Sequence, residues 1–396
     1  MSDVISSRRF APLWLLALID LSGTLSMHMF VPALPDTARS LGVSSAAVQT
    51  TIGVYFLSLA LGQLILGPLS DALGRRPLLL TGLGLYVLGS VAAMLASSVS
   101  ALLVARSLQA FGGSAGMTLG RAMVRDTHTA DEAVRTLALL SLLTMAGPAI
   151  APLIGSGLVE LSGWRAVFAA LVLMGVVTLA LSWRMAPETV EPTGRVSACG
   201  LREDYVALLR SPAFVAFAVG GSCATTSMYA FVVAAPFIIT GQLQHSLHAV
   251  GFALAMMMVG VGIGSALTRR LALRVGVDRL LLSGTTVSVL SASTFLGLAL
   301  AGHLTLELLV GLVLLFALGV GVASPAAMAK VLSVDPRRVG SSAGLYGFVQ
   351  MALGALFSIV VGWGSNPAVA SAGLLFGATV VAQGCIRVAL YRHAPS

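Results

Sequence analysis

The sequence predicts an all-α membrane protein of twelve transmembrane helices, arranged as two pseudo-symmetric six-helix bundles. Three observations carry this reading. The chain of 396 residues is 57% hydrophobic and only 10% charged, whereas soluble domains carry roughly 25% charged residues. Apolar runs recur from end to end, each near the ~20 residues that cross a bilayer as a helix. The basic residues fall in the short segments between those runs and favour one face.

The runs cover 12–34, 48–69, 77–97, 101–122, 136–160 and 165–185 in the first half. In the second half they cover 212–238, 247–268, 279–301, 304–328, 340–362 and 368–391. With the N-terminus placed in the cytoplasm, twenty of the 23 Lys and Arg residues fall on the cytoplasmic face. Arg39 and Arg165 fall on the other face, and Arg106 alone stays within a span. Positive charge is retained on the cytoplasmic side of a membrane protein, so both termini are expected there. The net charge of +8 is used up in this way and gives no reason to expect nucleic acid as a partner. The first apolar run follows Arg8 and Arg9 and is too long for the core of a signal peptide, so a retained helix is expected.

The longest polar connection, 186–211, contains Pro187, Glu188, Glu191, Pro192, Arg195, Arg202, Glu203 and Asp204. It divides the chain into a first half, 1–185, and a second half, 212–396, joined by a cytoplasmic linker. Two equal halves that rock about a site near the midplane are the plan of a transporter. The basic turns at 67–76 and 268–279 echo each other weakly, as an internal repeat would.

Asp20 is the one carboxylate placed deep inside a span. An acid there costs roughly 2.5–3.5 kcal/mol on insertion scales, and such residues line cavities and carry function. Desolvation favours its protonated form, which suits reversible proton binding. A structural acid reaching the interface is the competing reading. His28 lies eight residues on, about 80° around the helix and roughly 12 Å along it, so the two can line one cavity without touching. Arg106 stays charged and is expected either to face the cavity near Asp20 or to bond water and backbone carbonyls. Tyr55, Gln63 and Gln109 are the polar candidates for the cavity wall.

The segment 67–76 places Gly67, Asp71, Gly74, Arg75 and Arg76 at the spacing glycine-x3-aspartate-x2-glycine-arginine-arginine. This resembles the signature between helices two and three of the major facilitator superfamily. The resemblance implies a gating loop in which Asp71 accepts charge-assisted hydrogen bonds. The segment 105–113, with Arg106 ahead of Gln109 and two glycines, resembles the fourth-helix pattern of the same superfamily. Gly147, Pro152 and Gly155 resemble its antiporter signature in span five, with Ala151 and Ser156 in place of two glycines. Small residues there permit close helix packing.

Across nearly the whole chain the sequence is most similar to the drug-resistance branch that includes the bicyclomycin and florfenicol/chloramphenicol exporters. Members of that branch exchange drugs or metabolites for protons and often carry two acids eight residues apart in the first helix. Asp20 matches the first acid, and His28 stands in place of the second. The resemblance thus implies a proton-coupled antiporter of the bacterial inner membrane that exports small molecules such as phenicols or bicyclomycin. Asp20, His28 and Arg106 would couple the proton. The expected partners are a small-molecule substrate, protons and lipid, with a monomer sufficient. A second reading keeps the fold and carries an endogenous anionic metabolite or siderophore, outward or inward. A third, of another class, is a membrane sensor or scaffold without transport.

Other chemistry finds no footing in the sequence. No phosphate-binding Gly-x4-Gly-Lys-Ser/Thr pattern occurs, and no enzyme active site or cofactor is expected beyond the proton gradient as energy source. Cys199, Cys223 and Cys385 lack metal-ligand spacing. Met256, Met257 and Met258 read as packing or lipid-facing residues, and His245 and His248 share an outer loop without forming a metal site.

Overall fold

The computed structural model describes residues 11–192, 198–335 and 338–392. Arg8, Arg9, Arg195 and Arg337, counted above for orientation, lie outside the described residues. Fifteen α-helices run in chain order. They are α1 (Leu13–Phe30), α2 (Leu34–Leu41), α3 (Ser45–Leu73), α4 (Arg75–Met94), α5 (Val99–Thr127), α6 (Ala130–Ser162) and α7 (Trp164–Met185). There follow α8 (Ala198–Leu209), α9 (Pro212–Thr226), α10 (Met228–Pro236), α11 (Leu247–Val275), α12 (Val277–Ala301), α13 (Leu306–Ser333), α14 (Val339–Val360) and α15 (Pro367–Arg392).

Among the described residues, ten helical stretches are long and apolar enough to cross a membrane. One joins α1 to α2 through a 3-10 turn at Val31–Ala33, and another joins α9 and α10 to a π-helical turn at Phe237–Gln242. α5 and α6 stand outside that set although they span 29 and 33 residues. Arg106, Gln109 and a run of small residues lower the hydropathy of α5. In α6 the apolar stretch is Ala146–Ser162.

Helices α1 and α3–α7 pack on one another, as do α9–α15, and the two sets meet where α3 crosses α14 and α6 crosses α11. Contacts between the sets gather toward the end where α3 begins. There Gly53 packs on Ala355 and Ile359, Gly362 on Ala46 and Gln49, and Gly251 on Pro152 and Ser156. The other end carries the helix termini with Arg75, Arg76, Arg121 and Lys330 and is called here the basic end. Exposed Trp14, Trp183 and Tyr391 ring the basic end and Trp363 the opposite one, where amphipathic rings settle at a membrane–water interface.

Two connections are far tighter than the hydropathy suggests. A single residue, Gly74, separates α3 from α4, with φ 97° and ψ 149°. Gly276 separates α11 from α12 with φ 84° and ψ 150°, the matching place in the second set. Only glycine adopts such angles without strain. The loop expected at 67–76 is therefore no loop. Asp71 lies on the last turn of α3, and Arg75 and Arg76 on the first turn of α4, because both helices run past the apolar core into the polar interface. The connection 186–211 is likewise not all loop, since α8 occupies half of it.

Candidate functional site

The first helix is held against α5 by small residues. Gly113 approaches Gly23, and Gly116 lies against the backbone of Ile19. This close approach sets Asp20 beside the basic-end half of α5, and its carboxylate is 1% exposed. Its cation is Arg121, whose Nη2 lies 3.5 Å from Asp20 Oδ2. Thr144 of α6 hydrogen-bonds the same carboxylate, while Oδ1 is buried without a protein partner. Arg121 itself is 50% exposed. Water thus reaches the guanidinium and stops short of the acid.

Arg106 is not the neighbour of Asp20, contrary to one of the two positions expected for it. It is fully buried, and Nη1 donates to Gln109 Oε1 at 2.6 Å and to the Ser26 carbonyl at 3.2 Å. Its guanidinium sits 4.0 Å from the Tyr55 ring centroid, 5.0 Å from Phe30 and 5.9 Å from Phe168. Aromatic faces within about 6 Å attract a cation through the ring quadrupole. Three rings from three helices thus take the place of an acid. Tyr55 donates to the Gly23 carbonyl at 2.6 Å, Gln109 Nε2 to Ser90 Oγ at 2.8 Å, and the Tyr86 and Ser26 hydroxyls share a bond of 2.7 Å. The result is one buried polar knot joining α1, α3, α4 and α5. The α1 carbonyl that Arg106 bonds, Ser26, is six residues or about 9 Å along the axis from Asp20.

His28 is buried, with Nδ1 2.9 Å from the Thr24 carbonyl one turn back. Gln63 lies elsewhere, half-buried on α3, with Nε2 3.8 Å from Met117 Sδ and its Oε1 facing Gly347 of α14. The predicted cavity residues therefore divide. Tyr55, Arg106 and Gln109 form the knot, Asp20 pairs one level toward the basic end, His28 bonds its own helix, and Gln63 faces the other set.

The residues of the 67–76 signature do come together. Arg75 pairs with Asp71 at 2.6 Å and with Asp126 of α5 at 2.9 Å, and also bonds Ser70. Glu188 accepts from the backbone N–H groups of Arg75 and Arg76 at 2.9 and 3.2 Å. It thereby satisfies the free donors at the α4 N-terminus, where a negative charge is favoured. Gly67 packs loosely near Thr118. In the second set Asp278, two residues past Gly276, pairs with Lys330 at the end of α13. The acid and the base have changed places relative to Arg75 and Asp126.

In α6, Gly147 packs against Leu21 and Gly155 against the Met29 backbone, while Pro152 faces Gly251 across the junction of the two sets. Sequence reasoning missed several partners. Arg121 was counted as an interfacial charge, and nothing singled out Thr144, Asp126 or Gln350. Gln350 Nε2 donates to Thr225 Oγ1 at 2.9 Å. His248, expected in an outer loop without a metal site, meets Glu160 of α6 across the two sets at 2.7 Å. Glu160 also lines a cleft of about 570 Å³ together with Pro32, Asp36, Arg39 and Phe237.

Paired helical sets that meet at small residues, with a buried acid on an apolar helix paired to a half-exposed arginine, are the architecture of a membrane transporter. The chain belongs to the Major Facilitator Superfamily, whose pattern matches residues 16–391. Its relatives lie in the bicyclomycin and chloramphenicol resistance branch. A bicyclomycin resistance protein homolog of Haemophilus influenzae is 27% identical, with 87% of each chain covered. A chloramphenicol resistance protein of Pseudomonas aeruginosa is 41% identical over 45% of this chain and 43% of its own. Among solved structures, the peptide transporter POT in complex with sulfate superposes with a TM-score of 0.78 at 13% identity, covering 96% of this chain and 93% of that one. The fold is therefore that of the superfamily.

Proposed function

We propose that this protein is a proton-coupled antiporter that exports small drugs of the phenicol or bicyclomycin kind across the bacterial inner membrane. α5 and α6 cross the bilayer with the ten apolar stretches, giving twelve spans. The halves 1–185 and 212–396 rock about the midplane, joined by the linker 186–211. The basic end faces the cytoplasm together with both termini. A single copy suffices.

The observation that carries this reading is the Asp20–Arg121 pair, an acid closed to water behind a guanidinium that water reaches. With Asp20 ionised, the pair holds α1 to α5 and the site receives substrate from the cytoplasm. A proton taken from outside neutralises Asp20 and frees Arg121, whose arm swings into the space the substrate held. Loss of the proton to the cytoplasm restores the pair. Arg106 acts at a distance by keeping α1 in register, and the network of Asp71, Arg75, Arg76 and Glu188 holds the basic end of the first half as one body. Gly74 permits the tight turn within it. Gly147, Pro152 and Gly155 let α6 bear on both α1 and α11 during the motion.

The test is drug susceptibility in an efflux-deficient host, comparing the wild type with Asp20→Asn at matched membrane abundance. Resistance present in the wild type and lost in the variant is the expected result. Full pH-gradient-driven transport by Asp20→Asn in proteoliposomes would overturn the proton step. The half-exposed Arg121 also lends support to an anionic metabolite or chelate as cargo. Growth rescue under iron limitation without any drug phenotype would favour that second reading.

A further inference from the structure

We infer that Arg121, rather than Asp20, is the charge a substrate meets, and that the site selects uncharged aromatic molecules bearing acceptor oxygens over lipophilic cations. This deepens the export reading above and rests on it.

Three polar side chains turn toward a neighbouring helix and yet remain open to water. Gln63 points at Gly347 of α14 and is half-buried. Gln350 of α14, bonded to Thr225 of α9, is half-buried as well. Half-exposed Arg121 faces α1. Polar groups turned inward at membrane depth are tolerated where they line water. Toward the opposite end Phe56 packs against Tyr229 across the two halves, ring centroids 4.5 Å apart, with Gly354 packed beside both.

Charge then decides what enters. A lipophilic cation needs a carboxylate it can reach, and Asp20 is 1% exposed and already paired. Ionised, the Asp20–Arg121 pair is neutral overall. Protonated, it leaves one positive charge. Neither state gives the site a net negative charge, and in both the guanidinium is the group turned to water. Arg106 adds a second positive charge behind Tyr55, and His28 lies buried on its own helix. The groups left to recognise a ligand beside Arg121 are uncharged. Gln63 and Gln350 can donate to carbonyl, nitro or sulfonyl oxygens from the two halves, as can the remaining N–H groups of Arg121, which carries five. Phe56, Tyr229 and the polarisable Met117 suit a ring.

The test is binding to the purified protein in lipid nanodiscs at pH 7.5, with chloramphenicol as the uncharged probe and tetraphenylphosphonium as the cation. Chloramphenicol is expected to bind at least tenfold more tightly. Arg121→Gln should lower that ratio at least tenfold, and Arg121→Lys, which keeps the charge, should preserve most of it. Gln350→Leu should weaken chloramphenicol several-fold and leave the cation unmoved. Equal or tighter cation binding by the wild type, or a ratio unchanged in Arg121→Gln, overturns the inference while leaving drug export standing. Failure of monodisperse wild type to bind either probe removes the export reading and this selectivity with it.

Discussion

Arg106 and Arg121 stand fifteen residues apart on α5, about 22 Å along one helix, and the protein treats them in opposite ways. Arg106 has no exposed surface and no acid, yet its charge is held by three aromatic faces, an amide and a carbonyl. Arg121 is half in water and reaches one acid through a single long contact. The first is fixed by many groups at once and has no freedom to change partner. The second can let go, since water is at hand to solvate it. A membrane helix can thus carry one arginine as a pillar and another as a working part, and burial distinguishes them where residue type does not.

Removing the pillar should have the largest effect. Arg106→Ala leaves a cavity and strips Gln109 of its partner, at a cost of about 3–5 kcal/mol. Thermal unfolding in detergent should register this as a large loss of stability and of membrane abundance. A variant as stable as the wild type would make Arg106 a second working residue. Next in size is Tyr55→Phe, which keeps the ring over Arg106 and removes the 2.6 Å bond to Gly23. A loss of about 1 kcal/mol is expected, with transport retained once abundance is matched.

Arg121→Gln should separate stability from function. Unfolding should shift by less than about 1 kcal/mol, since a single long contact to a half-exposed guanidinium contributes little and the buried Asp20, once unpaired, can take up a proton. Exchange driven by a pH gradient should nevertheless fall at least tenfold in proteoliposomes. A loss of stability comparable to that of Arg106→Ala would erase the distinction between the two arginines.

The smallest effect is expected at a third arginine, Arg338, which lies outside the membrane and extends the series to the surface. It bonds Asp204 of α8 at 2.8 Å, and Ser341 bonds the same carboxylate at 2.8 Å. The Ser341 hydroxyl first, and Arg338 second, hold the Asp204 carboxyl below the usual range. The folded state therefore favours the ionised form. This tie is complete above the ordinary carboxylate value of about 3.9 and is lost as the pH falls through the lower folded value. A spin label at the exposed Val206 should gain mobility only in that acid range, and Asp204→Asn should show the same mobility at neutral pH. Identical spectra for both proteins across pH would remove α8 from the account.

Much of the fold was legible because hydropathy is a local property. Each long apolar run marks its helix with no knowledge of neighbours. The ends were less legible, since α3 and α4 carry Asp71, Arg75 and Arg76 on helical turns in the polar interface, and polarity there reads as a loop. The pairings were least legible. Arg106 was visible as a charge within a span, but Phe30, Tyr55 and Phe168 come from three helices whose facing sides no periodicity reports. Arg121 went unnoticed for a different reason. Counting basic residues for orientation pools every interfacial arginine, and that sum hides one that bends back toward a buried acid.

The burial of Arg106 also bears on how the chain is made. A helix offered to the bilayer alone is judged on its own residues, and α5 brings to that step a guanidinium, an amide and a stretch of glycines. Its insertion becomes favourable once Tyr55 on α3 and Phe30 on α1 are already in the lipid to receive the charge, because intramembrane cations are stable only with partners. α1, α3 and α4 all precede α5 in the chain. The order of synthesis thus delivers two of the three receiving rings before the residue that needs them, with Phe168 on α7 following, and shuffling these helices within the gene would strand the arginine during biogenesis.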